Sequence, residues 1–341
     1  MLHAKRFKIF YAVQATGNGH ISRAIEIYPY LKKYGDVDIF LSGSNFQLKS
    51  DLPVAYKSRG ISLAYNQENG AIDIKKTINN IRLKQAWREA KHLPIEKYDL
   101  IINDFESITS MACRLKGKYS VHFGHQASFV SKQVPRPKKK DLLGEFILSN
   151  YAKGSRNIGL HFEKYDRFIF QPVIKKSILQ ADPQDDGHFT VYLSQFTLDI
   201  LQKYFHQLNK FKFHIFSGDI INIHEDRNIK FFPVNKELFN KSLISCHGII
   251  TSAGFETPAE ALFLGKKLMV IPISGQYEQE CNAEALVRSF GVKSIKNVDE
   301  HFSIHFYDWI KNSQLKRLEL NETTEEIIER VYNIGVSKTD N

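Results

Sequence analysis

Phe7-Lys8-Ile9-Phe10-Tyr11-Ala12-Val13 opens the decisive stretch, followed by Thr16-Gly17-Asn18-Gly19-His20, by Ile21 to Tyr34, and by Val37 to Leu41. The first run is rich in strand-forming residues and the glycines make a turn. The third segment has apolar residues at helical spacing, and the fourth is again strand-like. Strand, glycine turn, helix and strand in this order make a parallel βαβ unit. Pro29 should kink that helix, because it removes a backbone donor.

Outward from this unit the rhythm repeats. Ile74, Ile78 and Ile81 lie at i, i+4 and i+7 of an expected basic helix, Tyr98 to Asn103 and Tyr119 to Phe123 are expected strands, and Ser107 to Leu115 an expected helix. Ser131 to Lys140 carries two prolines and five cations, which oppose regular structure, and is expected to be a mobile loop. Ala181-Asp182-Pro183-Gln184-Asp185-Asp186-Gly187 is dense in turn formers and acids, a linker signature.

Beyond the linker the alternation restarts. Strands are expected at Phe189 to Leu193, Phe213 to Phe216, Ile229 to Phe232, Gly248 to Thr251 and Leu268 to Ile273. Helices are expected at Thr197 to Leu208, Lys236 to Ser242, Pro258 to Leu264 and Gln279 to Phe290, with a last one at Thr323 to Tyr332 that could pack on either half. The fold class is therefore α/β, with two parallel-sheet domains at 1–172 and 188–315 and a C-terminal helix and tail at 316–341. Open α/β sheets bind ligands beyond the carboxyl ends of their strands, so function is expected in the cleft between the two sheets.

Composition bounds the rest. The chain has 341 residues, 43% of them hydrophobic, which suffices for real cores, and no apolar run long enough to cross a membrane. Its start reads as a first strand rather than a signal peptide. Three separated cysteines fit a reducing cytosol and exclude a disulfide scaffold or a zinc ribbon. The net charge of +10 concentrates in Lys132 to Lys140 and in Lys75 to Lys91, either as solvated basic faces or as an attraction for anionic surfaces.

Two places carry chemistry. In Ile249-Ile250-Thr251-Ser252-Ala253-Gly254-Phe255-Glu256-Thr257-Pro258-Ala259-Glu260, a strand feeds a small-residue turn, with Pro258 suited to the first helical position. Free N–H groups at Gly254 to Thr257 and the helix dipole behind them would hold an anion such as a diphosphate. Thr257 and Glu260, three apart, equally satisfy a capping box, which would explain both by helix capping alone. Ser274-Gly275-Gln276-Tyr277-Glu278-Gln279-Glu280-Cys281-Asn282-Ala283 adds a polar cluster at the next strand end, suited to a polyhydroxylated ligand.

Thr251 to Ala283 resembles the nucleotide-sugar signature of GT-B glycosyltransferases, in particular the UDP-glucuronosyltransferase-like group and the bacterial N-acetylglucosaminyltransferase of lipid-linked peptidoglycan precursors. The resemblance implies two Rossmann-like domains facing across a cleft. It implies that Ser252, Ala253, Gly254, Phe255, Glu256 and Thr257 form the diphosphate turn, that Glu260 binds ribose hydroxyls, that Glu278 and Gln279 grip the donor sugar, and that the backbone at Val234 contacts the base. The family often has Gly-Gly or His-Gly where this chain has Ala253-Gly254, and Phe255 is bulky.

Gly17-Asn18-Gly19-His20 lacks the third glycine of a dinucleotide fingerprint and the acid for an adenine ribose, which disfavours a nicotinamide enzyme. Its glycines let the backbone approach a ligand and place His20 at a helix start. Histidine suits proton removal from an attacking hydroxyl near neutral pH, the role the resemblance assigns here, with Asp104 as its orienting partner. Helix capping would account for either residue otherwise. Gly17, Asn18, Gly19, His125 and Gln126 are expected on the acceptor side, and Arg23 either reaches phosphate or is a surface helix arginine. Asp36-Val37-Asp38 lies at the amino end of its strand and reads as the strand's beginning, so neither a metal nor a cofactor is expected.

The expected function is a metal-independent, inverting transfer of a sugar from a nucleotide-diphospho-sugar, uridine-based by resemblance, to a hydroxyl acceptor. The alternatives are a nucleotide-sugar 2-epimerase and a non-catalytic nucleotide-sugar-binding protein. Lys132 to Lys140, followed by Leu142, Leu143, Phe146, Ile147 and Leu148, suggests a cytoplasmic enzyme visiting an anionic inner membrane face to meet a lipid-linked acceptor. Nucleic acid is not an expected partner.

Overall fold

The computed structural model describes residues 7–15, 18–43, 52–60, 83–312 and 315–337. The expected helix through Ile74, Ile78 and Ile81 lies outside the described residues, as do Thr16 and Gly17.

The first half contains β1 (Lys8–Gln14), α1 (Asn18–Leu31), β2 (Asp36–Ser42), β3 (Val54–Ser58), α2 (Leu83–His92), β4 (Leu100–Asp104), α3 (Ser107–Lys116), β5 (Val121–Gly124), α4 (Leu142–Asn150), β6 (Arg156–Leu160), β7 (Ile169–Phe170) and α5 (Lys176–Leu179). The second half contains β8 (His188–Tyr192), α6 (Leu198–Phe205), β9 (Lys212–Ser217), β10 (His224–Asp226), β11 (Ile229–Pro233), α7 (Lys236–Ser245), β12 (Gly248–Thr251), α8 (Glu256–Phe263), β13 (Lys267–Val270), α9 (Tyr277–Phe290), β14 (Lys293–Ser294), α10 (Phe302–Asn312) and α11 (Thr324–Val336).

The strands form two seven-stranded sheets, ordered β3-β2-β1-β4-β5-β6-β7 and β10-β11-β9-β8-β12-β13-β14. All pairings are parallel except β10 with β11, an antiparallel edge that the alternation did not reveal. The strand order reverses between β1 and β4 in one sheet and between β8 and β12 in the other. Connections leave such a reversal in opposite directions and open a crevice at the carboxyl ends. The turn before His20 follows β1 and Asp104 ends β4, while the Ser252 to Phe255 turn follows β12, so both reversals face the site.

Strand interiors are apolar because both sheet faces are covered: Ile9, Phe10, Tyr11, Ala12 and Val13 are all fully buried. One core runs from Ile9 and Ile102 through Phe162 to Phe255 and Phe290, so the halves share packing rather than a linker alone. The Lys132 to Lys140 loop is irregular but pinned rather than mobile in its first part. Val134 is buried, and Arg136 donates to Glu145 at 2.6 Å and to the Phe129 carbonyl at 2.9 Å while stacking on the Phe129 ring. α11 crosses back to the first sheet, where Tyr332 packs on Phe7 and Tyr34 and Gly335 lies against Leu100.

Candidate active site

β4 ends in a tight turn that aims Asp104. The Asn103 side chain accepts from the Glu106 N–H at 2.7 Å and donates to the Glu106 carbonyl at 2.9 Å. Phe105 between them adopts a left-handed φ of 56°, a strained conformation for an aromatic residue. Glu106, not Asp104, caps α3, accepting from the Ile108 and Thr109 N–H groups. Asp104 is thus free of any capping duty. Gly124, with φ of 120°, makes room: a Cβ there would lie 2.9 Å from Asp104 Oδ1 and 3.1 Å from Arg23 Nη2.

Asp104 is fully buried and gathers four contacts. Its Oδ1 lies 2.8 Å from His20 Nδ1 and accepts from Arg23 Nη2 at 2.7 Å. Its Oδ2 accepts from Arg23 Nε at 3.0 Å and from the Tyr11 hydroxyl at 3.3 Å. Burial alone would raise this carboxyl, but the charge of Arg23 and the hydrogen bonds from Arg23 and His20 outweigh it and hold Asp104 well below the ordinary carboxylate range. Burial of Arg23 is likewise outweighed by Asp104 and Glu256, so the guanidinium keeps its charge. Arg23 Nη2 also lies 2.9 Å from His20 Nδ1; in the tautomer that donates the Nδ1 proton to the ionised Asp104, Nε2 is left as the basic atom. Nε2 has Gln126 Nε2 at 3.5 Å as a neighbour.

Arg23 corrects the surface reading of sequence, being 3% exposed. Two of its nitrogens grip Asp104, and the third, Nη1, crosses the cleft to Glu256 at the start of α8. Tyr11 and Gly124 were missed; the signal for Gly124 was its place at an expected strand end.

Across the cleft, Asn18, Gly19, Ser22, Lys175, Tyr192, Phe216, Val234, Phe239, Asn240, Glu256 and Thr257 line a cavity of about 110 Å³. Val234, Glu256 and Thr257 were expected on the donor side; Asn18 and Gly19 were expected on the acceptor side yet line the same cavity, and Ser22, Lys175, Tyr192, Phe216, Phe239 and Asn240 were not expected there. Gly254 faces open space, since an added Cβ would meet nothing within 4 Å. Ala253 is buried and Ser252 partly so. Pro258 is the third residue of α8 rather than its first, and the helix begins at Glu256 without a side-chain cap.

The capping-box alternative fails at Glu260, which is 1% exposed and accepts from Lys175 Nζ at 3.0 Å instead. Burial raises its carboxyl, with Lys175 opposing. Phe255 turns inward, its ring stacked on His125 at 4.0 Å, so its bulk leaves the turn open. His125 is fully buried and bonds Leu160 and Asn282, which corrects its expected place on an acceptor pocket wall. Asn282 in turn donates to the Ala253 carbonyl at 3.0 Å, tying the turn to the first half. Gln126 donates to Glu278 at 3.0 Å across the cleft, while Gln279 bonds its own helix start through Gln276 and the Ile273 N–H. Asp36 opens β2 and Asp38 accepts from the Tyr98 hydroxyl. Among the described residues no His, Cys, Asp and Glu side chains gather in threes as metal ligands would.

The sequence of this chain matches the family profile described as glycosyl transferase family 1 over residues 7–309. The chain belongs to glycosyl transferase family 1. Solved structures share its fold. SnogD, a glycosyltransferase from Streptomyces nogalater, is 13% identical, with 98% of this chain and 96% of that one covered and a TM-score of 0.54. Arabidopsis thaliana UGT89C1 complexed with UDP is 10% identical over 97% of this chain and 100% of that one, at 0.60. Acinetobacter baumannii MurG is 14% identical over 96% and 99%, at 0.57. No curated protein sequence matches significantly. The protein is a glycosyltransferase of the GT-B fold, with no helix among the described residues long and apolar enough to cross a membrane.

Proposed function

We propose that this glycosyltransferase takes its sugar from a UDP-sugar without a metal ion and inverts the anomeric carbon. The observation that carries the reading is the His20–Asp104 pair facing, across one cleft, the start of α8. In the proposed step the acceptor hydroxyl gives its proton to His20 Nε2 as its oxygen attacks the anomeric carbon. The bond from that carbon to the diphosphate breaks, and the departing negative charge falls on the N–H groups and dipole of α8. A single displacement inverts configuration. Asp104 holds the imidazole in orientation and stabilises it once protonated.

In this reading residues 1–172 serve the acceptor and 188–315 the donor, with Glu278 on the donor sugar. Glu260 would act on the nucleotide through Lys175, which lines the cavity, rather than by contact. The acceptor is proposed to be lipid-linked. Lys138, Lys139, Lys140, Leu142, Leu143 and Phe146 are exposed together beside the cleft, where α4 is fastened to α9 by the Tyr277–Glu145 hydrogen bond at 2.7 Å.

Calorimetric titration with UDP, dTDP, GDP and ADP in chelator tests the donor site. Gly254→Leu fills only open space, so it should keep the fold and abolish binding of the preferred nucleotide. Equal binding by both proteins, or none by the native chain, would overturn the assignment.

A further inference from the structure

The donor cavity is about 110 Å³, below the ~300 Å³ at which small-molecule sites begin, and one of the groups lining it is a carboxylate. Glu256 stands at the first position of α8, where the helix dipole favours an anion, and its Oε2 lies beside Gly19 at the start of α1, where a Cβ on that glycine would be 3.1 Å away. Its Oε1 takes the single Arg23 nitrogen that Asp104 leaves over. One carboxylate therefore pairs with a buried guanidinium while standing beside the starts of two helices, surroundings that would suit a phosphate.

We propose that Glu256 is a built-in occupant of the phosphate site, and that Arg23 is a phosphate ligand of the donor which Glu256 releases when the diphosphate enters. The inference rests on the donor reading above. It goes further in making Arg23 serve both substrates' chemistry: Nε and Nη2 fix Asp104 behind His20, while Nη1 passes from Glu256 to the donor. The exchange swaps one anion for another on Nη1, so the guanidinium behind Asp104 stays paired as the donor binds. Glu256 is partly exposed and lies outside the apolar core, so its carboxylate can leave Arg23 without unpacking that core.

Two ligands separate the outcomes. UDP and uridine are titrated in chelator against the native protein, Glu256→Gln, Glu256→Ala and Arg23→Gln, with thermal unfolding as the fold control. Removing the competing charge should tighten UDP about tenfold in both Glu256 variants, the span of one charge-assisted contact, and leave uridine unchanged. Arg23→Gln should weaken UDP by a similar factor without affecting uridine. Unchanged or weaker UDP binding in the Glu256 variants would overturn the occupant role, as would an equal gain for uridine, which would signal mere opening of the cleft. If the native protein binds uridine and UDP to no extent, the donor reading itself falls, a result distinct from the preceding ones.

Discussion

Asp104→Asn keeps the side chain's shape and removes its charge. Both oxygens of Asp104 accept from Arg23, at 2.7 and 3.0 Å, so either orientation of the amide places an N–H against an arginine N–H. Arg23 cannot become an acceptor or lose its proton. Two charge-assisted hydrogen bonds at ~1.5–3 kcal/mol each are weakened or lost in a fully buried site, for a total of about 3–5 kcal/mol, the usual cost of breaking a buried pair. In a protein of 341 residues that should lower the thermal midpoint by about 4–7 °C. The carboxyl is held low in the folded state, so its contribution is present above its unfolded value near pH 4 and is lost only as the pH falls through the folded value. The deficit of the variant should therefore be the same at pH 5.5 and pH 8. Turnover should drop ~10²–10⁴-fold, because the imidazole loses the partner that orients it. Tyr11→Phe, which removes only a 3.3 Å contact, should cost about 1 kcal/mol. A midpoint for Asp104→Asn within 2 °C of native, or turnover within a few-fold, would refute the reasoning.

Gly124→Ala should disturb the same centre by sterics alone, lowering turnover and the melting midpoint together, since its Cβ meets Asp104 and Arg23 in a backbone conformation that disfavours side chains. Lys175→Met strands the buried Glu260, raising its carboxyl further; the folded state then favours the protonated form, so urea stability should be lost as pH rises, more at pH 8 than at pH 5. Burial lowers His122 to about 4, so it contributes stability that is present above the unfolded value of ~6.5 and fades as pH falls, by about 2 kcal/mol at pH 5. His122→Phe should flatten that part of the acid side of a urea-stability profile.

What the sequence revealed was local. The strand and helix on either side of the glycines before His20, and the turn from Ser252 to Phe255, are written in neighbouring residues; the helix starts at Asn18, three residues before the expected Ile21, so Asn18, Gly19 and His20 are helical. Arg23 was unreadable because its partners Asp104 and Glu256 lie 81 and 233 residues away, and burial by distant partners leaves no periodic trace. Glu260 misled for the same reason: its spacing from Thr257 imitates a cap, while Lys175, 85 residues upstream, claims its carboxylate. The two- and three-residue strands β7, β10 and β14 carry too few residues for a period to show. α10 was legible and overlooked, since Phe302, Phe306 and Trp309 stand at i, i+4 and i+7 and are all buried. Phe255 could not be assigned a side of its turn until His125 supplied the ring against which it stacks.

The most direct measurement is release of UDP from UDP-sugars in the presence of chelator and a lipid extract supplying hydroxyl acceptors, comparing the native protein with His20→Ala. The account predicts acceptor-dependent, metal-free release that falls ~10²–10⁴-fold in the variant while its affinity for UDP is unchanged. Release that requires added metal, or that proceeds undiminished without His20, would contradict it.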